Sequence, residues 1–284
     1  MKGSQQSPTG LARRARRISD RETEQRMLSA AVAMVTRTGL TVSLEHISME
    51  DVIREADVSR SAVYRRWPYK DLFLSDLVKE LAKDATPEIV NDEIEMMRGI
   101  VKERLLWLET PELRQGLVVE LLRQLSLQDF QAIYSSPGWR TYIALHATSM
   151  SLDDGELRDE VQATLTRSEN DRAERIAKAW ESMAEIFGFR IRPECGVTFA
   201  SLATLLSANM RGLVIMALTS PGLAEQRVLA SPFGAQTKDE WSLPGLGLAS
   251  IASALLEPDP AIEWDSERVA RVRETLSHWT IPVV

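Results

Sequence analysis

The sequence predicts an all-α protein. Apolar residues recur three and four positions apart through most of the 284 residues, the spacing of one face of a helix. Prolines punctuate these segments at Pro111, Pro137, Pro193 and Pro221. No alternation of apolar and polar residues persists long enough to indicate a strand, so we expect helices joined by loops.

Three helices are predicted in the first 67 residues. After a start rich in Ser, Gln, Gly and Pro and a basic segment at 11–17, helical spacing runs over 19–38 and ends at Gly39, a residue favoured just past a helix. Ser48 caps a second helix, 49–56, with Asp51 completing a capping pair. Ser59 caps a third helix, 60–67.

The rest of the chain is also helical in pattern. Pro68 ends the third helix, because the residue before a proline is driven out of helical geometry. A fourth helix begins at Lys70 or Asp71 and runs to 84. Further helices are predicted at 88–109, 111–134, 138–150, 155–188, 194–219, 243–257 and 264–278. The segment 220–245 holds three prolines and three glycines and is predicted to be the longest loop, with space for a short helix inside it.

Charge is distributed unevenly along the chain. Residues 1–83 contain 15 Lys/Arg and 11 Asp/Glu, whereas the remaining residues contain 19 and 30, within a total net charge of −7. A basic N-terminal part on an acidic remainder indicates a local site for a polyanion. The single cysteine, Cys195, fits a reducing compartment, and no apolar stretch typical of a secretory signal follows the start. We therefore expect a cytoplasmic protein.

The two short helices 49–56 and 60–67 have the pattern of a helix-turn-helix, whose second helix enters the major groove of DNA. At about 100° per residue, Val63 and Trp67 share the face that packs inward. Ser61 and Ala62 then point away from the core, and their small side chains let the helix backbone approach base edges.

Charged and hydroxyl groups surround this outward face. Arg65 has the reach to bind a guanine edge through two hydrogen bonds. Tyr64 and Arg66 flank it, where the phosphates of the groove walls would lie. Ser48 and Lys70 stand at helix N-termini, which favour anions, and are therefore predicted to contact phosphates.

The segments "SMEDVIREADVSRSAVYRRWPYKDLF" and "MLSAAVAMVTRTGL" resemble the DNA-binding region of the TetR family of transcriptional regulators. The resemblance covers about residues 20–80. It implies a flexible basic arm at 1–18, a helix-turn-helix domain at 19–84 and a helical regulatory and dimerisation domain at 85–284. It also implies a homodimeric repressor or, less often, an activator, bound to a palindromic operator in double-stranded DNA; the repressor would be released by a small hydrophobic effector.

The residues that the resemblance assigns to DNA are Ser48, Arg60, Ser61, Ala62, Tyr64, Arg65, Arg66 and Lys70. Those it assigns to the core are Val52, Val58, Val63, Trp67 and Leu72. The sequence departs from the family pattern in three places. Asp57 replaces a glycine at the turn, Ile53 replaces a small residue where the two helices meet, and Trp67 replaces a phenylalanine.

The C-terminal part contains helices suited to dimerisation and side chains suited to a ligand pocket. The helices 194–219 and 243–257 are apolar on most sides and dotted with small residues, which favours a helix–helix interface; a central core helix is the alternative for 194–219. An apolar pocket with a few polar groups is predicted among aromatic and methionine side chains, with Arg104 and His146 as polar partners. The predicted pocket residues are Arg104, Trp107, Tyr134, Trp139, Tyr142, His146, Trp180 and Met183.

Two alternatives remain open from the sequence. A DNA-binding regulator without a small-molecule effector has the same N-terminal pattern. A helical enzyme is disfavoured, because the three histidines are far apart and no phosphate loop, zinc-protease motif or nucleophile elbow occurs. The segment "GLGLAS" at 245–250 lacks the third glycine of a dinucleotide-binding loop and has no predicted strand before it, so it is interpreted as the start of a helix. We expect no catalytic residue, no metal, no cofactor and no membrane span.

Overall fold

The computed structural model describes residues 19–38, 47–83 and 91–278, and these residues are predominantly helical. Their elements, in chain order, are α1 (Asp20–Thr38), α2 (Met49–Ala56), α3 (Arg60–Arg66), α4 (Lys70–Lys83), α5 (Asn91–Glu103), a 3₁₀ helix (Leu105–Leu108), α6 (Pro111–Ser135), α7 (Pro137–Met150), α8 (Glu156–Phe187), β1 (Phe189–Ile191), a 3₁₀ helix (Pro193–Cys195), α9 (Phe199–Thr219), α10 (Gly222–Glu225), β2 (Arg227–Ala230), β3 (Asp239–Ser242), α11 (Leu243–Leu255), β4 (Leu256–Pro258) and α12 (Ser266–His278). The predicted all-α class is confirmed. The arm at 1–18 and Gly39 lie outside the described residues.

The helices α2 and α3 begin at the predicted caps. The Ser48 hydroxyl accepts a hydrogen bond from the backbone N–H of Asp51 at 3.3 Å, and the Ser59 hydroxyl accepts one from Ala62 at 3.4 Å. Each cap satisfies an N–H group that the first turn of a helix leaves unpaired. These caps fix where α2 and α3 begin.

Two predicted helices are interrupted. The segment predicted as 88–109 is α5 followed by a 3₁₀ helix, with Arg104 between them at φ −122 and ψ 29. The segment predicted as 194–219 starts with a 3₁₀ helix that ends at Gly196 with φ 62, a left-handed conformation that glycine adopts without strain. The helix proper begins only after the Thr198–Ser201 capping box.

The expectation that strands are absent was wrong. β1 pairs antiparallel with β4, with Phe189 opposite Pro258, and joins the end of α8 to the end of α11. β2 and β3 form an antiparallel hairpin inside the segment predicted as a loop, 220–245, which also contains α10. Each strand has only three or four residues, too few for a period of two to stand out from the sequence.

The helices α1 to α4, here called the head, pack directly on the remaining helices, the body. One continuous cluster of buried apolar side chains includes Met27, Trp67 and Leu77 of the head together with Trp139 and Val161 of the body. Within it α4 packs against α8 and α1 against α7. A second cluster joins α5, α6, the end of α8 and α12. The orientation of the head is therefore tied to α7 and α8.

The turn between α2 and α3 depends on Asp57. This residue takes the left-handed conformation, with φ 51 and ψ 51, and ends α2 by donating its N–H to the Arg54 carbonyl at 3.4 Å. Ile53, the second departure from the family pattern, is buried at this junction, and its carbonyl accepts the Val58 N–H at 3.5 Å. The turn thus forms with an aspartate in the place of a glycine.

Asp57 yields a stability test. Left-handed geometry costs an ordinary L-residue about 1–2 kcal/mol, costs glycine nothing and is tolerated by aspartate. We expect Asp57→Gly to match or slightly exceed the parent in stability and Asp57→Ala to lose about 1 kcal/mol, measured by urea unfolding. Equal stability of the two variants would contradict the left-handed turn.

Candidate nucleic-acid interface and internal cavity

The inward face of α3 is fixed by two fully buried side chains, Val63 and Trp67. The Trp67 indole N–H donates to Asp76 Oδ2 of α4 at 2.8 Å, and its ring meets Phe73 edge-on at 5.2 Å between centroids. A buried indole N–H needs such an acceptor, because leaving it unpaired costs about 1–3 kcal/mol. These contacts determine which face of α3 points outward.

The other residues assigned to the core differ in how deeply they are buried. Val52 is fully buried and Val58 is partly buried, as expected. Leu72 is 49% exposed, so its assignment to the core was wrong. Phe73 and Leu77 carry the inward face of α4 four residues apart, and Leu72 lies about 100° from Phe73 and about 140° from Leu77 around the helix.

The outward face of α3 carries the side chains assigned to DNA. Arg60, Ser61, Tyr64 and Arg65 are exposed, and Ala62 is half-buried. The Ser61 hydroxyl lies 3.5 Å from that of the cap Ser59. Small side chains therefore occupy the N-terminal turn of α3, and the larger ones follow it.

Ser48 and Lys70 occupy the beginnings of the neighbouring helices. Ser48 is the N-cap of α2, and half-buried Lys70 is the first residue of α4. Both helices present the positive ends of their dipoles at these points. The structure thus places the two residues at the termini where the sequence predicted phosphate contacts.

Four carboxylates of the head, which we call the acidic frame, engage the basic side chains of α3. Its members are Asp20, Glu24, Glu50 and Asp76. Arg65 pairs with Asp20 of α1. Arg66 lies between two of them, with its Nε 3.1 Å from Glu24 and an Nη 3.2 Å from Asp76. The frame was not predicted from the sequence, because acids in the first turn of a helix, as Asp20 and Glu50 are, are already explained by the helix dipole.

Glu50 holds two of the α3 side chains at once. Its Oε2 lies 2.6 Å from an Nη of Arg60, and its Oε1 accepts the Tyr64 hydroxyl at 2.9 Å. The hydrogen bond to Glu50, followed by the charge of Glu50, raises the pKa of Tyr64 above its ordinary value. The carboxylate of α2 therefore contacts two side chains of α3 that belong to the predicted DNA contacts.

An apolar cavity of about 180 Å³ lies within the body. Side chains of α5, α6, α8, α11, β1 and β4 line it, among them Trp180 and Met183 of the predicted pocket. Ser126 and Asp129 of α6 contribute the polar atoms. For scale, an apolar cavity of roughly 150 Å³ is large enough to bind benzene.

The other six predicted pocket residues do not line this cavity. Trp139 and Tyr142 are buried and meet edge-on at 5.0 Å, while Tyr142 and His146 meet at 4.5 Å. Burial, and then the charge of Arg211, lower the pKa of His146. Tyr134 stacks on Phe130 at 5.7 Å and borders a separate groove beside α10.

Arg104 belongs to a polar network around Glu120, and Trp107 packs against its guanidinium. The Arg104 guanidinium lies 5.7 Å from the centre of the Trp107 ring and 3.2 Å from buried Glu120 of α6. Glu120 also accepts hydrogen bonds from Arg123 at 2.8 Å and from Gln124. Burial alone would raise the pKa of Glu120, but the hydrogen bonds from Arg123 and Gln124, with the charges of Arg123 and Arg104, hold it below its ordinary value of 4.5.

One face of α9 is apolar and exposed. Leu205, Ala208 and Gly212 follow one another three or four positions apart, and Ile215 and Met216 lie three and four positions after Gly212. Leu205, Ile215 and Met216 are all 46% exposed or more. Apart from its chain neighbours and the backbone of α9 itself, no atom of the described residues lies within 4 Å of the place that a Cβ would take at Gly212. By length and composition α9 would also suffice to cross a membrane, but its other faces pack against α6, α8 and α11.

The sequence features that were weighed as signs of an enzyme do not form a catalytic or metal site in the described residues. Within residues 19–38, 47–83 and 91–278, no three His, Cys, Asp or Glu side chains cluster as a metal site would require. A strand, β3, does precede "GLGLAS", contrary to expectation, but it belongs to an antiparallel hairpin and leads straight into α11. Gly245 and Gly247 let α11 approach the backbone of Arg123 and the side chain of Asn209 closely.

Comparison with known proteins adds little. No family model and no curated protein matches the chain. A structural resemblance extends to TylP, described as a TetR regulator from Streptomyces fradiae, at 15% identity over 95% of this chain and 96% of that one, with a TM-score of 0.38. It extends also to SmeT, the repressor of the Stenotrophomonas maltophilia multidrug efflux pump SmeDEF, at 19% identity over 85% and 98%, with a TM-score of 0.38. Values this low do not establish membership of a family.

The Glu120 network predicts a pH dependence of stability. Because the pKa of Glu120 is lowered by folding, its contribution is fully present above about 4.5 and is lost as the pH falls through the folded-state pKa. Glu120→Gln should lower the free energy of unfolding by about 1–3 kcal/mol at pH 7. Urea titrations should show this difference shrinking below pH 4.5. Glu112→Gln, exposed on the same helix, is the control; a difference that does not change with pH would contradict the charged network.

Proposed function

We propose that this protein is a sequence-specific DNA-binding transcriptional regulator that acts in the cytoplasm. In this proposal a homodimeric repressor binds a palindromic operator and is released by a small apolar effector. The observation that carries it is the division of α3 into two faces: Val63 and Trp67 are fully buried, and Ser61, Tyr64 and Arg65 are exposed on the other side of a capped helix that follows a tight turn.

The exposed face of α3 suits the major groove. Ser61 and Ala62 admit close approach of the backbone to base edges, and Arg65 offers the paired donors that recognise guanine. Tyr64, Arg66 and Lys70 lie to either side, and Ser48 begins the adjacent helix, positions suited to phosphate oxygens. Arg60 stands at the first position of α3. In this proposal Arg65 specifies sequence, and Arg66 and Lys70 supply affinity.

A second copy of the chain is the proposed cover of the exposed α9 face. A symmetric contact places the same patch of each subunit against the other, so the small residues Ala208 and Gly212 at its centre would let the two helices approach closely. Leu205 and Ile215 on either side would then exchange solvent for apolar surface. Two heads held together in this way match a two-fold symmetric DNA site.

The cavity and α8 support the effector part of the proposal. Trp180 and Met183 border the cavity in the second half of α8. In the first half of the same helix, Glu160 pairs with Lys79 of α4, and Val161 belongs to the core that contains the head. A ligand that displaces α8 would therefore act on the helix that carries Asp76, the acceptor of the Trp67 N–H.

Arg65 and Lys70 should differ in their effects on DNA binding. In gel shifts with DNA flanking the gene, Arg65→Ala should cost about 1–3 kcal/mol and relax base preference, because it removes a base contact. Lys70→Ala should weaken operator and scrambled DNA alike and reduce the salt slope by about 1.

The parent protein provides the decisive control for this comparison. It should prefer the flanking DNA over scrambled competitor, and light scattering should report about twice 31.9 kDa. Equal affinity for both DNAs would refute a regulator, and a monomer would refute the two-headed complex. An interchange of the two variant phenotypes would mean that α3 is rotated relative to the groove.

A ligand that binds in the cavity, and a substitution that fills it, together test whether an effector acts there. A benzene-sized aromatic ligand should raise the thermal midpoint of the parent and release its operator, because binding to the native state stabilises it. Ala179→Phe, in the cavity wall, should abolish both effects, and Ala173→Phe, on α8 but outside the wall, should abolish neither. Stabilisation without release would favour a regulator that has no effector in this cavity.

A further inference from the structure

We propose that Glu50 determines specificity by discriminating against DNA that lacks the operator, an inference that rests on the proposed DNA-binding function. The carboxylate lies within the DNA-facing surface, where anions are expected, and it already occupies two groups that would bind them. Its role would be to keep Arg60 and Tyr64 from phosphates except where the operator fixes the complex.

The contacts show how Glu50 competes with DNA. The two carboxylate oxygens bind different partners, Arg60 through Oε2 at 2.6 Å and the Tyr64 hydroxyl through Oε1 at 2.9 Å. Both partners are exposed, with the Arg60 side chain 74% accessible. A phosphate that approaches either group must displace the carboxylate or accept its repulsion. An exposed pair costs little to separate, so the competition is graded rather than absolute.

Operator and other DNA should respond differently to this carboxylate. Binding to unrelated DNA depends almost wholly on phosphates, so a negative charge among the contacts weakens it directly. In the operator complex the base contacts of α3 fix one orientation. There, the pairing with Glu50 holds Arg60 and Tyr64 in place beforehand and lowers the cost of ordering them. The repulsion between Glu50 and the DNA phosphates is then offset in the operator complex but not in a complex with unrelated DNA.

The charge of the folded head agrees with this role. Five of the 15 basic residues before position 84 lie in the segment 1–18, so residues 19–83 contain ten basic and eleven acidic side chains. The part of the chain that presents α3 therefore has no surplus of positive charge to attract DNA indiscriminately. Glu50 is the member of the acidic frame that binds two of the assigned DNA residues.

Glu50→Gln tests the inference against a matched control. Glu55→Gln removes the same charge from the same helix, but Glu55 pairs at 2.8 Å with Arg37 of α1, which is not a residue of α3. We expect Glu50→Gln to strengthen binding to scrambled DNA about two- to fivefold, the range of an exposed ion pair. Its salt slope should steepen by about 1, and operator affinity should not rise. Glu55→Gln should change neither the ratio of operator affinity to scrambled-DNA affinity nor the salt slope.

A double-mutant cycle makes the mechanism explicit. In an Arg60→Ala and Tyr64→Phe background, Glu50→Gln should lose most of its effect on scrambled DNA, because the groups it restrains are gone. Parallel strengthening of operator and scrambled DNA, or equal behaviour of the Glu50 and Glu55 variants, would overturn the role of Glu50 while leaving a DNA-binding regulator intact. A parent protein that does not prefer its operator would instead refute the proposed function, and this inference with it.

Discussion

The burial of Val63 and Trp67 is the constraint on which the rest of the head depends. Both side chains are fully buried, and the Trp67 N–H donates to Asp76 at 2.8 Å, so α3 has one rotational setting relative to α1 and α4. That setting exposes Ser61, Tyr64 and Arg65 together. Asp76 also pairs with Arg66, so the acceptor that anchors the helix inward draws a basic side chain of its flank toward α4.

Features governed by local chemistry were predictable from the sequence. The caps Ser48 and Ser59, the proline after Trp67 and the spacing of Val63 and Trp67 act over a few residues, and each placed its helix correctly. Features that depend on distant partners were not predictable. The acidic frame joins Arg65 to Asp20 across 45 positions, and the exposure of Leu72 follows from how α4 turns toward the core. The strands escaped prediction because each has only three or four residues, and because β1 finds its partner β4 only far along the chain.

The residues that line the cavity were likewise only partly predictable from the sequence. An aromatic side chain at helical spacing serves a ligand or a core equally well, and only tertiary packing separates the two. Trp180 and Met183 border open volume, whereas Trp139 and Tyr142 are enclosed by their neighbours and by the guanidinium groups of Arg172 and Arg211. Composition indicated the kind of residue that lines the cavity, but tertiary packing determines that only two of the eight predicted pocket residues do so.

The length of α8 has a mechanical consequence. Its 32 residues form a rod of about 48 Å, with Gly188 in left-handed geometry ending it against the small β1–β4 sheet. From Trp180 beside the cavity to Glu160 beside α4 is about 30 Å along this rod. A tilt of about 5° about the cavity end moves the Glu160 end by about 3 Å, nearly the rise of two helical residues. A long, uninterrupted helix thus amplifies a small change of angle at one end into a displacement of a few ångström at the other.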